Sequence, residues 1–153
     1  MEFTFNESRK PGEYEYRHTL REHGYLVEDV SDNPNYWYKD IDCISTNPET
    51  GNIATHEIKW DSLISHTGNL YIETRNPRSR NGQGWFNFCE ADLLAYGDAN
   101  NKIFYVIRIP ELRAYVNANK EQLKQVRTFD GSEGYALPLK DIKNIVIHEI
   151  PCV

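Results

Sequence analysis

The chain has 153 residues and 17.9 kDa, with 39% hydrophobic and 26% charged residues, the proportions of one soluble folded domain rather than a disordered or fibrous chain. A net charge of −6 and a pI near 5.4 argue against gripping nucleic acid through bulk positive charge, and no run approaches the roughly 18 apolar residues of a membrane-spanning helix. Cys43, Cys89 and Cys152 form no CxxC pair, so free thiols are expected rather than a disulfide framework or zinc ribbon. With a polar start, MEFTFNESRK, the expectation is a cytoplasmic protein.

In chain order, the segment Glu13 to His23 spaces Tyr16 and Leu20 for a short amphipathic helix, ended by Gly24. YLVEDV, Tyr25 to Val30, is strand-like, and the turn-rich SDNPN breaks the chain. DIDCIS, Asp40 to Ser45, and IATHEIKW, Ile53 to Trp60, flank the turn NPETGN and predict a hairpin, with LYIET, Leu70 to Thr74, as a third strand of the same sheet. RNPRSRNGQG, between Arg75 and Gly84, predicts an exposed basic loop. CEADLLAYG, Cys89 to Gly97, reads as a short helix stopped by glycine, and KIFYVIRI, Lys102 to Ile109, as a strand buried on both faces. A helix is predicted from Pro110 to about Val126, and NIVIHEI, Asn144 to Ile150, supplies a last strand. The order predicts a single α/β domain over residues 1–153, its mixed sheet covered on both faces by helices.

Strand parity concentrates charge. Asp40, Asp42 and Ile44 share one face, and Thr55, Glu57, Lys59 and Asp61 share a face of the partner strand, opposite His56, Ile58 and Trp60. Where these faces meet, carboxylates repel unless a divalent cation sits among them, and oxygen-only ligands suit Mg²⁺ or Mn²⁺. The other reading is that alternating charges mark the solvated face of a hairpin. His56 and Cys43 fall on the opposite face and are expected in the core. Tyr36, Trp37 and Tyr38 precede the acids and either wall the site or pack in the core.

Asp42 in DIDCIS, then Glu57 and Lys59 in HEIKW, with an acid on the preceding helix, resemble the PD-(D/E)XK nuclease superfamily, including its Holliday-junction-resolvase-like branches. The stretches GNLYIETRNP, GWFNF, EADLLAYGD and KIFYVIRI resemble, more weakly, small phage or bacterial members. The resemblance implies a restriction-endonuclease-like core that hydrolyses phosphodiester bonds in DNA. Asp42, Glu57 and the carbonyl of Ile58 would hold Mg²⁺ or Mn²⁺, with Lys59 at the attacking water. Glu13, or second to it Glu15, would be the helix acid, and Asp40 is a rival to Asp42. Arg75, Arg78 and Arg80, with Trp85 behind them, are candidates for contacting nucleic acid, the alternative being a solvated loop with a buried tryptophan. Lys120, Lys124 and Arg127 are spaced for one face of the late helix. A homodimer would supply two sites for two strands. From another class, a nuclease-like binding protein with reduced chemistry, such as a phage-encoded inhibitor, also suits the negative charge.

Overall fold

A nine-residue strand, β3 (Ile53–Asp61), organises the molecule, and the computed structural model describes it within residues 10–79 and 81–153. Upstream, helix α1 (Glu13–Glu22) leads into β1 (Leu26–Asp29), and the four-residue helix α2 (Pro34–Trp37) leads into β2 (Cys43–Thr46). Strands β1, β2 and β3 pair antiparallel in sequence order. The helical turn α3 (Ile64–Thr67), strand β4 (Asn69–Arg75) and helical turn α4 (Trp85–Phe88) then carry the chain to β5 (Leu93–Asp98), which pairs parallel with β3. Strand β6 (Ile103–Arg108) follows antiparallel, and β9 (Val146–Pro151) closes a six-stranded mixed sheet of order β1-β2-β3-β5-β6-β9. Helix α5 (Ile109–Asn119) separates β6 from β7 (Lys124–Arg127) and β8 (Glu133–Pro138), which join β4 in a second sheet, β4-β8-β7.

The chain is therefore an α/β protein whose mixed sheet is flanked by helices. On one face α1 buries Tyr16 and Leu20 against Cys43, Ile58, Ala95, Phe104 and Val106. The other face packs Leu94, Tyr96 and Ile107 against α5 through Ile109, Leu112 and Val116, and against the second sheet through Leu70, Ile72 and Leu137. KIFYVIRI divides its side chains as predicted: Phe104 and Val106 enter the first core, while Ile107 and Tyr105 meet the second. No helix among the described residues is long and apolar enough to cross a membrane.

Three elements differ from their prediction. CEADLLAYG is not a helix: residues from Leu93 onward form β5, paired on both sides and almost wholly buried. A strand covered on both faces loses the alternation that would distinguish it from a helix. Gly97 is consequently no helix stop. The rings of Trp60 and Phe104 close over it, and a Cβ there would lie 2.5 Å and 2.7 Å from them. LYIET is a strand, but it belongs to the second sheet. The predicted late helix ends at Asn119, so Lys124 and Arg127 lie on β7 and share no helix face with Lys120.

Candidate active site

Strand β3 outruns β2. Cys43, the first residue of β2, pairs with His56, so beyond His56 the β2 edge of β3 has no strand partner. Asp42 fills that gap. Its backbone N–H donates to the carbonyl of His56 at 2.8 Å, and its Oδ2 accepts the N–H of Ile58 at 2.8 Å. A strand residue sends its N–H and C=O to the same edge, so the Ile58 carbonyl opens beside the Asp42 carboxylate. Continuing the register by one residue sets Asp42 opposite Glu57, as strand parity requires.

Glu57 is 3% exposed, and its Oε1 lies 2.6 Å from Nζ of Lys59, two residues along the same face. Its other oxygen, Oε2, is buried without a hydrogen-bond partner. Burial pushes the Glu57 carboxyl well above its ordinary range; Lys59 pulls it down, and Asp42 and Asp40 push it further up. Burial opposes the Lys59 ammonium, but Glu57, Asp40 and Asp42 together outweigh it and hold that group above its ordinary value. Asp40 sits just upstream with φ of 56°, a left-handed conformation that takes it out of the β2 alternation. Its carboxyl is raised by burial, lowered by Lys59, and raised by Asp42 and Glu73. Both Asp40 and Asp42 thus act on the Glu57–Lys59 pair, while Asp42 alone bonds to the edge of β3.

Helix α1 brings the next acid. Gly12, at φ 85°, lies so close to Trp60 that a Cβ would come within 2.5 Å of the indole side chain, and this contact seats the first turn against β3. Glu13 is buried there and its carboxyl is pushed up to about 7, by burial first and then by Asp42, against the pull of Lys10 and Arg17. Glu15 has another task, since its carboxylate accepts the Gly12 N–H at 2.5 Å and caps the helix. Glu13 is the helix acid that shares the field of Asp42.

Lys59 looks into a cleft of about 620 Å³ between β3 and the second sheet. Trp85 supports it, with Nζ 5.5 Å from the ring centroid. The facing wall includes Tyr71 and Glu73 from β4 and Lys124 and Val126 from β7. Glu73 accepts from Ser132 Oγ at 2.9 Å, and Ser132 Oγ lies 2.5 Å from the Tyr71 hydroxyl. Strand β8 carries no signal that the sequence pattern disclosed, and Lys124, expected on a late helix with Lys120 and Arg127, stands instead on β7 in the cleft wall.

The remaining candidates separate. Trp85 is buried, whereas Arg75 and Arg78 are exposed and pair loosely with Glu133 at 3.8 Å and Asp130 at 3.7 Å. Arg80 lies outside the described residues. Tyr36 packs against the core while Trp37 and Tyr38 are exposed. Cys43 and His56 are core residues of the opposite face, and Cys43, Cys89 and Cys152 are free thiols.

Among the described residues no three His, Cys, Asp or Glu side chains converge closely enough, as they stand, to hold a metal ion. The donor chemistry nevertheless suits a hard divalent cation: the unpartnered Oε2 of Glu57, the Asp42 carboxylate and the Ile58 carbonyl are all oxygens. No known protein family, curated protein or solved structure matches this chain.

Proposed function

We propose that the chain is a metal-dependent nuclease of the PD-(D/E)XK type, with a restriction-endonuclease-like core, hydrolysing phosphodiester bonds in DNA. One observation carries the reading: Glu57 is buried with an oxygen unpartnered, beside Asp42 and Lys59, and such an oxygen costs stability unless something binds it. Asp42, Glu57 and the Ile58 carbonyl would hold Mg²⁺ or Mn²⁺. When bound, that cation supplies charge neutralisation at the phosphate and a more acidic water.

The chain's own residues do the rest. Lys59 keeps its proton under the influence of three carboxylates, so it serves as a donor that orients the attacking water and stabilises charge on the transferring phosphate. Trp85 holds the lysine at the cleft wall. Glu13, its carboxyl near neutrality, stands outside Asp42 and adjusts the charge of that carboxylate's surroundings. A second copy of the chain would bring the second site needed to cut both strands of a duplex.

The test is cleavage of supercoiled, single-stranded and branched DNA with Mg²⁺ or Mn²⁺. Cutting by the native chain should fall by at least about 100-fold in Lys59→Ala and in Glu57→Ala. Mn²⁺ should raise the melting temperature of the native chain and not that of Glu57→Ala. The closed Glu57–Lys59 pair and the lack of three converged donors among the described residues favour a second reading, a nuclease-like binding protein. A folded chain that still binds Mn²⁺ but cuts none of these substrates would favour that reading over the first.

A further inference from the structure

The second sheet ends in a hairpin tip that packing does not explain. Between β7 and β8, Phe129 is exposed to 109% of its reference area, so its ring touches nothing else in the fold. The turn that carries it is tightly closed. Thr128 N–H donates to the Ser132 carbonyl at 2.8 Å, Gly131 N–H donates to the Thr128 carbonyl at 3.0 Å, and the Thr128 hydroxyl donates to Asp130. Gly131, at φ 89°, supplies the left-handed residue that this closure needs. The ring is thus presented on a fixed support.

Around the tip stand three arginines. Arg127 precedes it on β7, Arg75 ends β4, and Arg78 belongs to the adjoining loop, whose Pro77 lies 3.6 Å from where a Gly131 side chain would begin. Their side chains are 63–75% exposed, and they meet Glu133 and Asp130 only at 3.7–3.8 Å. Exposed pairs of that length are worth little in water and are readily exchanged for phosphate. Thr128, next to Phe129, lines the same cleft as Lys59.

The geometry points to Phe129 as a stacking platform for an unpaired base of a nucleic acid strand, with Arg75, Arg78 and Arg127 on its phosphates and the strand led from there toward Lys59; the last step rests on the nuclease reading. An exposed aromatic ring among arginines is what sequence-tolerant single-strand binding uses, because every base offers a face to stack. A rigid duplex keeps its bases stacked and offers none.

The experiment measures binding in EDTA, where nothing is cut. Fluorescence anisotropy compares a labelled single-stranded DNA oligonucleotide with its blunt duplex, for the native chain, Phe129→Ala and Phe129→Trp. The native chain should prefer the single strand. Phe129→Ala should weaken single-strand binding about tenfold and leave duplex binding unchanged. Phe129→Trp should keep the affinity, with its fluorescence quenched by the strand. Folding is not at issue, since the ring makes no internal contact. Equal single-strand affinity of Phe129→Ala and the native chain, or no binding of single strand by the native chain, overturns the proposal; the first result assigns Phe129 to another partner, such as a protein. Metal-dependent cutting, measured separately, distinguishes the two readings: Phe129-dependent binding without cutting removes only the nuclease, and cutting without Phe129-dependent binding removes only the platform.

Discussion

The two faces of β3 carry polar groups at adjacent positions and treat them in opposite ways. Toward α1, His56 is buried with both ring nitrogens engaged: Nδ1 lies 3.0 Å from the Tyr16 hydroxyl and Nε2 lies 2.8 Å from Ser45 Oγ. Burial lowers its pKa to about 4, against a weak opposing pull from Asp92, so the ring is neutral and one nitrogen donates while the other accepts. Toward the cleft, Glu57 is equally buried, yet one oxygen has no partner and three other acids crowd the same region. A closed network stabilises a fold, and an open one is available for chemistry. The difference separates a satisfied polar face from one that leaves a buried carboxylate oxygen unpartnered.

Breaking the closed side should have the largest effect on stability. His56→Ala leaves the Tyr16 hydroxyl and Ser45 Oγ without their shared partner and opens a cavity, which should cost about 2–4 kcal/mol in urea unfolding. Glu57→Gln, at the neighbouring position, should change stability by less than about 1 kcal/mol without metal, because the amide removes a desolvated charge and can still accept from Lys59. If the two variants unfold alike, the contrast between the faces fails.

The pH dependence sharpens the same contrast, with opposite signs. His56 titrates lower in the fold than in the unfolded chain, so its contribution is present above about 6.5 and is lost as pH falls toward about 4. Glu13 titrates higher in the fold, so its contribution is present below an ordinary 4.5 and is lost as pH rises through about 7. Relative to the native chain, Glu13→Gln should therefore gain stability between pH 5 and 7.5, which melting curves at fixed ionic strength would measure. A flat difference would mean that Glu13 titrates as an ordinary surface acid.

The smallest effect belongs to Glu15. Glu15→Ala removes the bond to the Gly12 N–H and should cost about 0.5–1 kcal/mol. It should leave metal-dependent cutting unchanged, whereas Glu13→Ala should reduce it.

What the sequence made legible was local. The period of two placed Asp42, Glu57 and Lys59 on one face because β2 and β3 are neighbours in sequence and obey simple alternation. Gly12 and the seating of Glu13 were not legible, since they depend on Trp60 lying across the helix entry. Strand β5 was hidden because it is buried on both faces, and the cleft wall because β4 pairs with β8 across about sixty residues. The basic loop with Arg75 and Arg78 was legible, but not its neighbours Arg127 and Phe129, which the pairing of β8 with β4 brings beside it.

The parallel pairing of β3 with β5 bears on the order in which the molecule folds. β1, β2 and β3 are joined by short connections, but β5 returns to β3 only after residues 62 to 92 have been laid down. Closing so long a connection is entropically unfavourable, and it comes after the local hairpins have formed. Asp42 and Glu57 already face one another once β2 pairs with β3, but until β5 and the second sheet cover β3 water still screens them. Their repulsion therefore opposes the final closure of the sheet rather than its nucleation, so a cation that relieves it would act by slowing unfolding more than by speeding the first steps of folding.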